Sequence, residues 1–288
     1  MNFDRFQCQK FIESELGCTD HTRLKDFKEA FLAYTLTNDN LNIFIEKSKV
    51  DARDLFYKAA LSFLEATYGI IKGHSSWAIV KLYYSIFYSL RVTLISSGYI
   101  ILKNGTSDIY SLKMNVGSQP VKITNDRTKG DHKATIKAYK TLFQNIGIIN
   151  TNSIDDKHVL DWIMEYRELV NYRINSFIEP DYGYDVIPRL HAPGASFDGV
   201  VKKYIDDEFK IYCFDKDHSM FATPLVLIND ACDLLYNLCG GNILSEERTL
   251  VLKNIINDMK LSDSVVLSDI FLRDGYEDQE EDSEEETN

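Results

Sequence analysis

The sequence predicts a mainly α protein with small inserted β-hairpins, and three observations carry that expectation. The first is His74 to Gly98, HSSWAIVKLYYSIFYSLRVTLISSG, in which only Lys81 and Arg91 are charged between Trp77 and Ile95. A helix that is apolar nearly all round is a buried one. At about 100° per residue, Ala78, Ser85, Ser89 and Ser96 fall on one stripe, with Leu82 and Thr93 beside it. Trp77, Tyr83, Tyr84, Phe87 and Tyr88 crowd the opposite arc. The small residues admit a second helix closely, and the aromatic ones fill wider space. The second observation is amphipathic helical spacing on both sides of this stretch. The third is a group of short extended segments bounded by turn residues just after Gly98.

In chain order, residues 1–50 read as a helical extension, with Leu24, Phe27, Phe31 and Tyr34 on one face and a turn at Thr37-Asn-Asp-Asn. Asp51 to Ile71 repeats the pattern through Leu55, Ala59, Phe63, Ala66 and Ile70. Gly73 ends that helix and Ser75 or Ser76 can cap the next, which makes an antiparallel hairpin. YIILK (99–103), IYSLKM (109–114) and VKIT (121–124) form a β insert at about 99–125. The triplet Asn104-Gly-Thr106 within it signifies only a turn. Helix resumes at Asp131 and again over Ser153 to Phe177, where Ser153 is a candidate cap and Asp155 and Asp156 suit the first turn. A stripe of Val159, Ile163, Val170 and Ile174 is its buried side.

Beyond Phe177, residues 178–199 hold three of the five prolines and three glycines, an irregular connection in which His191 is the one titratable base. It wraps the bundle or serves as a partner-binding or lid segment. A second hairpin is expected from Phe209–Phe214 and Met220–Thr223 around Asp215-Lys-Asp-His-Ser, followed by a helix that opens with Pro224 at its first position and stops at Gly240-Gly241. Helices over Ser245 to about Met259 and Ser262 to Leu272 complete this C-terminal α+β extension (179–273).

Composition narrows the functional classes. Five scattered cysteines without a Cys-x-x-Cys pair indicate neither a disulfide framework nor a zinc ribbon, and fit a reducing cytoplasm. The N-terminus has no signal-like run and no segment reaches 18 uncharged apolar residues, so a soluble chain without membrane is expected. The net charge of −12 is concentrated at the end: residues 274–288 hold nine acids and no Lys or Arg, which leaves −3 on the remaining 273 residues. That tail is a solvated, disordered segment, a nucleic-acid mimic or a handle for a basic partner. The near-neutral body excludes a general polyanion binder but not a local basic groove. Lys122, Arg127, Lys129, Lys133, Lys137 and Lys140 are its candidates, against the alternative of a solvated face. No P-loop, G-x-G-x-x-G, G-x-S-x-G or H-E-x-x-H occurs. Asp215, Asp217 and His218 suit a turn better than a metal, Cys232 and Cys239 suit a core, and no cofactor or metal is expected.

AIVKLYYSIFYSLRVTL, the Gly130-Asp-His-Lys opening of the third helix and Arg167 in MEYRELVNYR together resemble the HEPN superfamily of prokaryotic four-helix domains, over roughly residues 51–178. The resemblance implies a four-helix bundle that dimerises through its core helices. It implies either a metal-independent ribonuclease of toxin–antitoxin, CRISPR-linked or abortive-infection systems, or a non-catalytic partner of an ATPase or nucleotidyltransferase. The nuclease members carry R-x(4–6)-H on the fourth helix. From Arg167 that window reads Tyr172, Arg173, Ile174, with no His.

That difference has chemical weight. Metal-free cleavage needs a group that moves a proton near neutral pH, which His does and Tyr, at about 10, does only after a large shift. Arg167 and Arg173 still match phosphate oxygens. On a straight α-helix Asn171 lies about 40° from Arg167 and Tyr172 about 140° away, so Arg167 and Asn171 form the expected pair. The expectation is a defence or toxin–antitoxin-type subunit that binds protein partners (ATPase, nucleotidyltransferase or nuclease) and RNA through Arg167, Asn171, Arg173, Lys129 and Lys133. Its alternatives are an active ribonuclease using Arg167 with Tyr172 or His132, and a structural homodimer module whose tail recruits a basic partner.

Overall fold

The computed structural model describes residues 5–125, 128–144, 147–179, 184–190, 196–241 and 243–273. It is mainly helical, as expected, and divides into two compact units, Met1–Leu55 with Leu90–Gln144 and Phe56–Ser89 with Asn145–Asn288. Its elements are α1 Gln7–Glu15, α2 Lys28–Ala33, α3 Asn38–Ile71, α4 Ser75–Ser96, β1 Tyr99–Asn104, β2 Asp108–Lys113, β3 Val121–Lys122, α5 Asp131–Phe143, β4 Ser153–Ile154, β5 Lys157–His158, α6 Val159–Glu168, α7 Phe197–Asp206, α8 Lys216–Cys239, α9 Glu246–Asp258 and α10 Val265–Phe271. Short 3-10 turns precede α2 and α8, and a π turn over Leu169–Arg173 extends α6.

In the first unit the predicted insert forms an antiparallel sheet in the order β1-β2-β3, with Tyr99 opposite Lys113 and Tyr110 opposite Lys122. Its inner face packs Ile101 and Ile109 with Leu94, Ile123, Ala134 and Ala138. Period-two alternation puts these strand residues on one side, and α5 covers them with the small residues of its apolar stripe. Asp51, buried in α3, supplies the N-terminus of α1 with acceptors: its carboxylate takes the N–H groups of Gln7 (2.6 Å) and Cys8 (2.9 Å). Burial pushes the Asp51 carboxyl up, and the backbone donors of Cys8 and Gln7 oppose that shift. Arg91 lies 4.5 Å over the Phe6 ring.

The second unit is built on the α3–α4 turn and on α8. His74 donates its N–H to the Gly69 carbonyl (2.7 Å), and Gly73 adopts φ +81 at the tight reversal. A Cβ on Gly69 would stand 3.4 Å from the His74 oxygen and 3.8 Å from the Ala78 Cβ, ordinary van der Waals distances, so the turn packs closely here without requiring glycine at this position. The α4 window of mean hydropathy 1.3 is 83% buried; among the described residues α4 alone is long and apolar enough to cross a membrane, and its burial is that of a core helix. Phe63 of α3 packs on Phe221 (5.2 Å) and Phe271 (5.9 Å), which ties α8 and α10 to it.

Four expectations are corrected. The boundary placed at residue 50 falls inside α3, which starts at Asn38 where the Asn40 side chain accepts the Thr37 N–H (2.9 Å) and continues without a break to Ile71. The hairpin expected over 209–223 is a 3-10 turn, Ile211–Phe214, and the start of α8. Asp215 caps that helix by accepting the Asp217 N–H (2.9 Å), and Pro224 lies inside it rather than at its first position. Met220 to Thr223 are buried on every side, so they show no alternation that separates strand from helix. The helix expected from Ser153 begins at Val159: Asp155 (φ 50) and Asp156 (φ 59) form the two-residue turn between β4 and β5 instead of a first helical turn. His158 caps α6, its Nδ1 accepting the Leu160 N–H (3.2 Å). Finally, Ser75 and Ser76 lie inside the first turn of α4, whose first carbonyl is that of His74.

Replacing Asp51 by Ala leaves the buried Cys8 N–H and the part-buried Gln7 N–H of α1 without their acceptors, a loss of roughly 1–3 kcal/mol. Thermal unfolding followed by circular dichroism is expected to show a lower Tm for Asp51→Ala, and Asp51→Asn, which keeps one acceptor, falls between it and wild type.

Candidate functional site

The site is built where α6 meets α4 in the second unit. Val159, Leu160, Trp162 and Ile163 sink into the core, and the same helical face carries Arg167 inward, leaving it 8% exposed. Its guanidinium carbon stands 4.7 Å from the Tyr83 ring centre, 5.8 Å from Tyr84 and 5.7 Å from Tyr172. Arg167 Nε is buried without a hydrogen-bond partner. Burial pushes the Tyr83 phenol well above the ordinary tyrosine range, with Arg167 pulling the other way, so Tyr83 is neutral at pH 7. Such a cation–aromatic contact contributes about 2 kcal/mol when desolvated, as at Tyr83, and about 0.5–1 kcal/mol when exposed, as at Tyr172. Tyr84 stacks on Tyr88 at 6.0 Å, and Lys58 lies 5.9 Å over Tyr88, so the aromatic arc of α4 continues from the cage.

The π turn brings Tyr172 into this cage. Ile174 N–H bonds to the Leu169 carbonyl at 3.1 Å, an i to i+5 closure that takes in one more residue than an α turn and returns residue i+5 toward the face of residue i. The expectation that Tyr172 points away from Arg167 therefore fails, as does the pairing of Arg167 with Asn171: no hydrogen bond joins those two among the described residues. Tyr172 itself is 70% exposed, which makes it the outer wall of the cage. Arg173 is exposed and paired with Glu168 at 3.4 Å.

The remaining candidates lie elsewhere. Lys129, His132 and Lys133 belong to the first unit, with Lys129 and Lys133 exposed at the start of α5, and Arg167, Asn171, Tyr172 and Arg173 belong to the second. Lys122 is held by Asp108 (2.8 Å) and Lys137 donates to the Ile123 carbonyl (3.0 Å), so two of the six residues of the supposed basic groove are engaged locally. Arg127, His191 and the acidic tail 274–288 lie outside the described residues. Asp215 is a helix cap and His218 Nδ1 pairs with the Tyr204 hydroxyl at 2.8 Å. Among the described residues no group of three His, Cys, Asp or Glu side chains could hold a metal ion.

Sequence reasoning missed Glu179. Its carboxylate accepts from the Ser75 hydroxyl (2.9 Å), the Ser76 hydroxyl and the Ser76 N–H, occupying the N-terminus of α4 from a point more than a hundred residues later. Phe177 meets Trp77 edge-on at 5.5 Å beside it. Together the two contacts fix the chain leaving the π turn against the start of α4, and with it the outer wall of the cage. No local pattern announces a cap supplied from so far away.

Partial burial raises the Glu179 carboxyl, but the hydrogen bonds from Ser76 and Ser75 outweigh it and hold the pKa below the ordinary glutamate value. A depressed carboxylate contributes stability that is present above the unfolded pKa, about 4.3, and is lost as pH falls through the folded one. The Tm difference between wild type and Glu179→Gln should therefore be largest above that pH and shrink on further acidification; a difference independent of pH would contradict the latch. The chain matches no protein-family model, no curated protein and no solved structure.

Proposed function

We propose that this protein is a HEPN-like subunit of a prokaryotic defence or toxin–antitoxin-type system, which binds protein partners and RNA through the Arg167 site without the standard nuclease chemistry. The observation that carries this reading is the caged guanidinium. Arg167 is packed among three tyrosine rings, with Nε unpartnered and the outermost ring, Tyr172, exposed. A planar fork held in this way can bond phosphate oxygens, and the surrounding rings offer stacking surfaces to bases. Proton transfer is less well provided. Tyr83 is held neutral, and no His lies in the Arg167 window. Binding therefore has its groups in place and cleavage lacks a base poised near pH 7.

The test is fluorescence anisotropy with a labelled single-stranded RNA in EDTA, beside Arg167→Lys, which keeps the charge and loses the fork. Hydrogen bonds to charged groups contribute about 1.5–3 kcal/mol, so the variant should bind at least tenfold more weakly with its circular dichroism unchanged. Equal affinity would remove the site.

One observation favours the ribonuclease reading as a second possibility: the π turn sets the Tyr172 ring beside Arg167. Under that reading the same RNA is cut in EDTA and Tyr172→Phe abolishes the cut. Under the preferred reading the RNA stays intact with wild type and variant alike.

A further inference from the structure

A shallow groove of about 510 Å³ lies on the first unit along the first half of α3, lined by Gln7, Asn42, Ile43, Glu46, Lys47 and Val50. Its floor is apolar: Ile43 and Val50, seven residues apart, are 53% and 42% exposed. Residues seven apart on an α-helix share a face, about 20° from true alignment. Glu46 and Lys47 then fall about 50° to either side of the line through Ile43 and Val50. The face is thus an apolar seam with an acid along one border and a base along the other.

We propose that this face is a contact surface for a second copy of this chain, with the two α3 helices side by side, parallel, about a twofold axis running along them. In that arrangement each border meets the opposite border of the mate, so Glu46 of one copy faces Lys47 of the other, twice. An antiparallel pair would set Glu46 against Glu46 and Lys47 against Lys47, so the charges themselves choose the parallel form. The seam brings Ile43 onto Ile43 and Val50 onto Val50. The groove has room for apolar side chains from the mate. Lys47 is already anchored 5.9 Å over the Phe11 ring, and Glu46 accepts from Lys49 at 2.8 Å, so both border groups are partly oriented before contact. A contact of about two helical turns is far smaller than the ~1,200 Å² of a stable interface, so the association is weak and concentration-dependent. This inference is independent of the RNA reading, which concerns the second unit.

Sedimentation velocity of the full chain, from low micromolar to several hundred micromolar, tests it. Wild type should shift from monomer towards dimer across that range. Ile43→Asp and Lys47→Glu should remain monomeric with unchanged circular dichroism, since both positions lie at the surface. The double exchange Glu46→Lys with Lys47→Glu restores opposite charges across the twofold axis and should recover the dimer. A wild-type monomer at every concentration overturns the proposal. So does a dimer indifferent to Ile43→Asp and Lys47→Glu, or a double exchange that stays monomeric.

Discussion

A guanidinium cannot be left bare in a protein interior, and the second unit is arranged around meeting that demand at Arg167. Moving such a charge out of water costs several kcal/mol, which only nearby acceptors and aromatic faces can offset. Among the described residues no carboxylate is paired with Arg167. Instead three tyrosine rings surround the guanidinium. Two of those rings come from α4, so α4 must present its aromatic arc to α6. The third comes from a π turn, so the helix must widen just after Arg167. An aromatic enclosure keeps the charge without neutralising it, which a salt bridge would not do. That property makes the residue suited to meeting an anion.

The same demand explains why α4 is held at its start. Glu179 and Phe177 fasten the chain that leaves the π turn to Ser75, Ser76 and Trp77. Elsewhere α4 tolerates orphaned groups: the Ser85 and Ser89 hydroxyls are fully buried without partners. A small side chain there serves packing, because a larger apolar residue would separate the elements that α4 joins. Buried hydroxyl groups without partners are a cost that the packing around α4 must outweigh.

Much of this was visible in the chain itself. The charge-poor run from Trp77 to Ile95 announced a buried helix, Gly73 its entry turn, and the segments at 99–103, 109–114 and 121–124 a β insert. Arg167 was singled out, and its inward placement follows from the stripe of Val159 and Ile163 on the same helix. What escaped was either non-local or symmetric. Glu179 caps α4 across a long sequence separation. The π turn has no residue signature, so straight-helix geometry puts Tyr172 on the wrong side. Met220 to Thr223 are buried all round and carry no period, so the beginning of α8 passed for a strand. Asp155 and Asp156 suit a helix start and a reverse turn equally, and β4–β5 pairing decides between them.

The central claim is that the Arg167 side chain is sequestered among tyrosine rings, and its Nε–H reports on this directly. In a nitrogen–proton correlation spectrum of arginine-labelled protein, assigned by the peak lost in Arg167→Lys, the account predicts a signal displaced upfield by ring currents and slow to exchange with solvent. A signal at the position and exchange rate of a freely hydrated arginine would contradict it.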